Sequence, residues 1–309
     1  MITGCSSGLG LALARLLYHC TEYKCVITAR STSLRLIYEA GLKENPNYMI
    51  RALDVASPAE RESLIDEIRR AWGGVDILIN NAGISYRSVI EHMSVLEEAQ
   101  QMAVNYHGPM ELIKLCIPSM RHQGRGKIIN ISSVSGMLAM PTMASYTASK
   151  HALEGASEAL WYEMKPLGID VTLVQPGFIR SKSFAKVYYS EKAQASLRKR
   201  SVYNDFYQYM APFVSRMMNL SLVTPDDIAN KILWVIKTER PPLRVAATPD
   251  ALVFYYLRRF IPRNIFHHFL FYMLPAARRW GRAYSYKRSW NIWDRIKFFW
   301  TRLLNKARP

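Results

Sequence analysis

Short apolar runs separated by helical patterns are the feature that most constrains how this chain can fold. The runs that read as strands lie at residues 25–28, 48–53, 75–79, 127–131, 171–174 and 243–247. Helical patterns separate most of them, at 58–72, 94–123, 144–165 and 224–237, and Ser57 and Pro58 are the expected cap and first position of one. This alternation predicts an α/β fold, a three-layer, doubly wound parallel sheet whose right-handed crossovers fix most of the topology.

A glycine-rich turn opens the chain, with Thr3 to Gly10 reading TGCSSGLG ahead of an apolar helical pattern. Glycines here permit a tight turn and let backbone N–H groups approach a pyrophosphate, which a helix N-terminus also favours. Only Met1 and Ile2 precede the turn, whereas a strand usually has about five or six residues. Either the start of the sequence lies too far along the chain or residues before it have been trimmed, and a targeting segment there would not be visible.

Two polar residues at the ends of the next strands bear on the choice of cofactor. Arg30 follows the strand at 25–28, and no acid stands beside it. An acid near this point selects NAD through the ribose hydroxyls, whereas an arginine accommodates the 2′-phosphate of NADP, so we predict NADP(H). The alternative is an arginine that is simply on the surface after a strand. Asp54 ends the strand at 48–53, where its carboxylate can accept from an adenine edge.

A serine, a tyrosine and a lysine then follow at a spacing that could bring them into one catalytic site. If the segment from Ala144 is helical, Tyr146 and Lys150 lie one turn apart on the same face. A phenol titrates near about 10 and needs a nearby cation to ionise at neutral pH, which Lys150 would supply. Ser133 follows the strand at 127–131, at the edge where α/β sheets bind ligands, and its hydroxyl can polarise a carbonyl. Tyr-x-x-x-Lys alone is often only a solvated helix pair.

These motifs occur in one order: the glycine turn, Asn80-Asn81-Ala82-Gly83, Asn105, Ser133, Tyr146 with Lys150, and a Pro-Gly turn at 176–177. In this order the chain resembles a short-chain dehydrogenase/reductase over residues 1 to 247, nearest the NADP-dependent hydroxysteroid and retinol dehydrogenase-like branch. The resemblance implies a Rossmann-fold catalytic domain over residues 1–249. Ser181 stands where the family often has threonine, and a hydroxyl is kept.

The resemblance also implies the roles of the site residues. Tyr146 would be the general acid/base, and Lys150 would lower its pKa and bind the nicotinamide ribose. Ser133 would orient the carbonyl, and Asn105 would hold a water that links Lys150 to solvent. The cofactor contacts expected from the sequence and the resemblance are Gly4, Ser6, Ser7, Gly8, Leu9, Gly10, Arg30, Asp54, Val55, Asn81, Ala82, Gly83, Tyr146, Lys150, Pro176, Gly177 and Ile179. We expect no metal.

An aromatic and methionine-rich stretch at residues 181–218 interrupts the α/β pattern. Its position after the strand at 171–174 predicts a lid over the carboxyl edge of the sheet. An apolar lid indicates a hydrophobic substrate. The alternative is that these aromatic residues only pack against the body.

The C-terminal extension, residues 250–309, differs from the body in charge. From residue 257 onward there are thirteen Lys or Arg and one Asp, a net of +12 of the chain's +17. Its longest charge-free run, 264–277, has fourteen residues, fewer than the ~20 that a spanning helix needs. Trp280, Trp290, Trp293 and Trp300 with many arginines suit the headgroup level, so we predict a basic amphipathic helical tail on an anionic membrane surface. A helix packed on the body or on a dimer partner is the alternative, and nucleic-acid binding is not expected.

Taken together, the residues predict an NADP(H)-dependent oxidoreductase that acts on a hydrophobic ketone or secondary alcohol of steroid, retinoid, acyl or sphingoid type. The four cysteines lack CxxC or metal spacing, which indicates reduced thiols in a reducing compartment, here the cytoplasmic side of a membrane. The alternative from another class is a dinucleotide-sensing regulator without turnover, although a sensor has no need of an activated phenol. A homodimer or homotetramer is a family expectation.

Overall fold

The computed structural model describes residues 1–181, 187–198 and 201–280. Its strands are β1 (Cys25–Ala29), β2 (Tyr48–Ala52), β3 (Ile77–Asn80), β4 (Gly126–Ile131), β5 (Ile169–Gln175) and β6 (Arg244–Ala246). Its α-helices are α1 (Gly8–Tyr18), α2 (Arg35–Glu39), α3 (Pro58–Trp72), α4 (Val95–Met102), α5 (Gly108–Gln123), α6 (Ala144–Met164), α7 (Glu191–Arg198), α8 (Asn204–Leu220), α9 (Pro225–Lys237), α10 (Pro249–Phe260) and α11 (Arg263–Met273). The predicted alternation of strands and helices is confirmed.

All strand pairs are parallel, and the order across the sheet is β2-β1, then the N-terminal residues, then β3-β4-β5-β6. A single residue, Ile2, stands where a first strand is expected and bridges Ile27 of β1 and Ile79 of β3. Its N–H donates to Val26 O at 2.8 Å, and Thr3 N–H donates to Ile79 O at 3.1 Å. The sheet is therefore continuous, and its strand order reverses beside Ile2, which is where doubly wound folds bind ligands.

The sheet is buried on both faces by helices. On one face, α1 and α9 pack against alternate strand residues such as Ile129, and on the other, α3 and α5 pack against neighbours such as Ile128. Successive strand residues point to opposite faces of the sheet, and helices cover both faces. The side chains on both faces must therefore be apolar, which explains the continuous apolar runs in the sequence. The predicted three-layer, doubly wound fold is confirmed.

Several helix ends follow the predicted capping residues. Ser57 accepts from the backbone of Glu60 at 3.4 Å, with Pro58 in the first turn of α3. Thr224 forms a capping box with Asp227 at the start of α9. A π-helical turn, Ala103–His107, joins α4 to α5, and it was not predicted. It places Asn105 in the interior, where the residue is 1% exposed.

The beginning of the C-terminal extension packs on the body. Ala251 of α10 is fully buried in one cluster with Val134, Met137 and Leu138. Trp280, predicted at a headgroup level, instead packs against Phe206, with ring centroids 4.7 Å apart. The predicted Trp290, Trp293 and Trp300 lie outside the described residues. Within the parts of the chain that are described, none of the helices combines the length and the apolar character that crossing a bilayer requires.

Candidate active site

The glycine turn is fixed to the end of β3 by Thr3 and Asn81. Thr3 Oγ1 accepts from the backbone N–H groups of Asn81 at 3.0 Å and Ala82 at 2.9 Å. In return, Asn81 Nδ2 donates to the backbone oxygens of Thr3 at 2.8 Å and Gly4 at 3.1 Å. Two predicted cofactor segments, the glycine turn and the Asn80–Gly83 motif, are therefore one rigid unit.

The turn has the shape of a phosphate cradle. Gly4 has φ +72°, and a Cβ there would lie 2.7 Å from Cα of Ala82. A Cβ at Gly10 would lie 2.5 Å from Asn81 Nδ2. The side chain of Ser7, the N-cap of α1, makes no capping hydrogen bond. Since the first N–H groups of a helix have no intrahelical acceptors, this N-terminus fits the pyrophosphate of a dinucleotide.

The residues expected at the adenosine end lie at the carboxyl ends of β1 and β2. Arg30 directly follows β1 and is exposed. Asp54 lies just beyond β2, and its Oδ1 accepts from Ala56 N–H at 2.9 Å, which fixes the orientation of the carboxylate. Val55 is 5% exposed. Arg30 and Asp54 therefore lie at the carboxyl ends of two neighbouring strands, β1 and β2.

Ser133 and Tyr146 lie close enough for the Ser133 hydroxyl to interact with the phenol and lower its pKa. Ser133 Oγ also accepts from Ser135 N–H at 3.1 Å, which orients its hydroxyl. Lys150, one turn along α6, lies with Nζ 6.0 Å from the ring centroid of Tyr146 and donates to Ile131 O, at the end of β4, at 2.8 Å. Strand β4 and helix α6 thus bring the three residues together.

Asn105 connects this group to the loop after β3. Its Nδ2 donates to Ile84 O at 2.9 Å and to Ser149 Oγ at 3.0 Å, and its Oδ1 accepts from Ile84 N–H at 2.9 Å. A Cβ at Gly83 would lie 3.4 Å from Asn105 Oδ1 and 4.0 Å from Lys150 Nζ. The four predicted catalytic residues and the Asn80–Gly83 motif therefore border one space.

The electrostatics of the site differ from the prediction in one respect. Burial raises the pKa of Tyr146, whereas its hydrogen bond with Ser133 and the positive charge of Arg87 lower it. Burial lowers the pKa of Lys150 to about 8, against the opposing effect of the Glu154 carboxylate. Arg87 is thus a second cation near the phenol, in addition to Lys150. No pattern in the sequence pointed to Arg87, which lies in a loop at no periodic spacing from the other residues.

The Pro-Gly turn at 176–177 is held by residues that sequence reasoning missed. Pro176 O accepts from Val134 N–H at 2.8 Å. Thr248 Oγ1 accepts from Gly177 N–H, and Asp250 Oδ2 accepts from Phe178 N–H, both at 2.9 Å. Ile179 is 4% exposed. Thr248 and Asp250, which lie on either side of the predicted domain boundary between 249 and 250, therefore support the same turn. The boundary itself stays a prediction.

The aromatic insertion provides one wall of a small pocket next to Arg87, which in this structure has room for about one water molecule. The pocket is lined by Arg87, Thr142, Met143, Tyr189, Tyr207, Met210, Ala211 and Val214. Five of these eight residues lie between 181 and 218. A lid over the site stays a prediction, but the described part of the insertion already gives the pocket a largely apolar wall.

Comparison with known proteins agrees with this geometry. Residues 1–192 match the family model described as short chain dehydrogenase. Dehydrogenase/reductase SDR family member 7B of Rattus norvegicus is 36% identical over 59% of this chain, and the chain spans only 58% of that protein's length. The 3-ketodihydrosphingosine reductase of Bacteroides thetaiotaomicron is 37% identical over 57% of this chain and 62% of its own length. Retinol dehydrogenase 8 of Homo sapiens is 32% identical over 79% of each.

Solved structures show the same fold. A short-chain dehydrogenase from Streptomyces avermitilis superposes with a TM-score of 0.72 at 28% identity, covering 88% of this chain and 96% of its own. A metagenomic short-chain oxidoreductase in complex with NADP gives 0.58 at 26% identity over 79% and 94% of the two chains. A short chain dehydrogenase/reductase from Burkholderia phymatum in complex with NAD gives 0.66 at 23% identity over 84% and 91%.

Proposed function

The chain belongs to the short-chain dehydrogenase family, and from that membership we propose that it is an NADP(H)-dependent oxidoreductase for hydrophobic ketones or secondary alcohols. The observation that carries this proposal is that Ser133, Tyr146 and Lys150 lie together at the sheet edge that also holds the glycine cradle. Lys150 Nζ lies 6.0 Å from the Tyr146 ring centroid and donates to Ile131 O at 2.8 Å. A binding module has no need of a phenol, a hydroxyl and an amine brought together in this way.

The chain's own residues carry out the proton transfer. A nicotinamide cofactor, when bound, supplies the hydride. Tyr146 transfers the proton to or from the substrate oxygen, and Ser133 donates a hydrogen bond to that oxygen while charge develops on it. Lys150 lies where it can bind a ribose hydroxyl and hold positive charge beside the phenol. Positioned proton transfer of this kind contributes a rate factor of about 10² to 10⁴.

The preference for NADP(H) over NAD(H) is supported by Arg30, which is exposed directly after β1. One charge-assisted hydrogen bond to a phosphate contributes about 1.5–3 kcal/mol, so Arg30→Gln should weaken NADPH binding by about 10- to 100-fold and leave NADH binding unchanged. Arg35→Gln, on the exposed side of α2, is the matched control. Equal affinities of wild type for NADPH and NADH would contradict the preference.

The hydrophobic substrate class is supported by the largely apolar wall that the aromatic insertion contributes next to Arg87, and by two relatives whose names specify a 3-ketodihydrosphingosine and a retinol. The test is NADPH oxidation with a panel of steroid, retinoid, acyl and sphingoid ketones. We expect turnover of at least one class and no turnover of short hydrophilic ketones. Tight NADPH binding without turnover of any ketone would favour a dinucleotide-sensing regulator instead.

We also propose that α10 and α11 attach the protein to an anionic membrane surface. They expose a series of large apolar side chains and carry Arg258 and Arg259 in the last turn of α10. The exposed apolar residues are Leu252, Val253, Tyr256, Phe260, Ile265, Phe269, Phe271, Tyr272 and Met273. Apolar side chains beside basic ones match the boundary between acyl chains and acidic headgroups.

Truncation before α10 is a poor test of membrane attachment, because it removes the support of the Pro-Gly turn. Full-length chain carrying Phe260→Ser and Phe269→Ser should float less with phosphatidylserine vesicles than wild type does. The control is Val95→Ser with Leu96→Ser, which removes two side chains that are each 81% exposed at the start of α4. Equal flotation of all three proteins would refute the attachment.

A further inference from the structure

Arg87 is a buried cation to which the described residues offer no counter-ion. It is 9% exposed, and its Nε is buried without a hydrogen-bond partner. Within residues 1–181, 187–198 and 201–280 it forms no ion pair. Of the residues outside these ranges, 182–186 and 199–200 contain no acid and 281–309 contain one, Asp294. A buried charge costs free energy unless it is paired, so a group that arrives with the substrate is the natural partner.

The backbone around Arg87 is held from two sides. Its N–H donates to Tyr188 O at 2.8 Å, and Tyr188 N–H donates to Ser85 O at 3.0 Å. The next residue, Ser88, forms a parallel bridge with Met143, just before α6. The loop is therefore fixed between the aromatic insertion and the helix that carries Tyr146, and the guanidinium is placed in advance of binding.

The surroundings of this guanidinium are apolar or neutral. Apart from Arg87, the pocket is lined by Thr142, Met143, Tyr189, Tyr207, Met210, Ala211 and Val214, none of which carries a charge at neutral pH. The charge of Arg87 also lowers the pKa of the Tyr146 phenol, and Ser88, next to Arg87, is bridged to Met143, three residues before Tyr146. In such low-dielectric surroundings a lone positive charge attracts an anion strongly and repels an ammonium.

We propose that Arg87 binds an acidic group of the substrate, a carboxylate or a phosphate, a short distance from the carbon that is oxidised or reduced. The planar guanidinium matches both groups, because it can donate two parallel hydrogen bonds. The proposal rests on the proposed oxidoreductase function and narrows it: the substrate is an acidic lipid ketone or alcohol, and a ketone that carries a free amine next to the reacting carbon is a poor substrate.

The first test compares three ketones of equal chain length, a keto acid, its methyl ester and the corresponding keto amine. We expect kcat/KM of wild type to be about 10- to 100-fold higher for the acid than for the ester, and lowest for the amine. Arg87→Gln should remove the preference for the acid, and Arg87→Lys should keep part of it. Arg216→Gln, exposed on α8, is the control and should keep it fully.

If Arg87→Gln lowers kcat/KM for the acid and the ester by the same factor, Arg87 acts on Tyr146 alone and the proposal is wrong. Calorimetric binding to the Tyr146→Phe variant with NADP⁺ separates recognition from turnover. Tighter binding of the acid than of the ester supports the proposal even if no ketone is reduced. The lack of reduction would count against the oxidoreductase function only. Equal binding overturns the proposal. A phosphorylated ketone in the same series distinguishes phosphate from carboxylate.

Discussion

Thr3→Val tests how the cofactor cradle is held together. Thr3 is 1% exposed, and its hydroxyl accepts from the backbone N–H groups of Asn81 and Ala82. Valine fills nearly the same volume but cannot accept a hydrogen bond. A buried N–H left without an acceptor costs about 1–3 kcal/mol. Because Asn81 and Ala82 are only half-buried, we take the lower part of that range, about 1–2 kcal/mol for each group, and expect a loss of about 2–4 kcal/mol.

The assay is chemical denaturation with and without NADPH, together with a measurement of NADPH affinity in the absence of denaturant. Thr3→Val should lower the free energy of unfolding by that amount and weaken NADPH binding, because the glycine turn is no longer tied to the end of β3. Thr3→Ser keeps the hydroxyl and is the control. Substitutions away from caps, buried hydrogen bonds and the core usually change stability by less than about 0.5 kcal/mol. A loss of unfolding free energy below that value would refute this account of the cradle.

Three further outcomes follow from the geometry. Gly4→Ala should abolish measurable NADPH binding, since φ is +72° and the new Cβ would contact the next loop at 2.7 Å, and tight binding would contradict the cradle. Glu154→Gln removes a negative charge that raises the pKa of Lys150, so the alkaline limb of the pH–rate profile should move to lower pH, and a move to higher pH would be the wrong sign. A thiol reagent should modify the half-buried Cys20 first in the native protein, because burial raises the pKa of Cys116 to about 12, and rapid labelling of Cys116 would contradict the described core.

The sequence predicted the fold well wherever local periodicity decides the structure. The apolar runs became β1 to β6 with shifts of one or two residues, and the cap at Ser57 is where it was predicted. The first strand is the exception, since Ile2 alone fills its place. One bridging residue leaves no periodic pattern in the sequence. It is recognised only from its pairing with β1 and β3 in the structure.

The site was predicted in part. Ser133, Tyr146 and Lys150 meet as expected because one strand end and one helix turn fix their positions. Arg87 was not predicted, because it reaches the site only through pairings of its loop with residues 143 and 188. Asp250 was missed for the same reason, since it contacts residue 178 from far along the chain. Contacts of this kind leave no local pattern.

Replacing Tyr146 with phenylalanine tests the central claim most directly. The change removes only the oxygen atom of the phenol and leaves the glycine cradle untouched. We predict that turnover of any ketone reduced by wild type falls by at least about 10²-fold while the dissociation constant for NADPH stays within a few fold. Wild-type turnover by Tyr146→Phe would contradict the assignment of the phenol as the proton-transferring group.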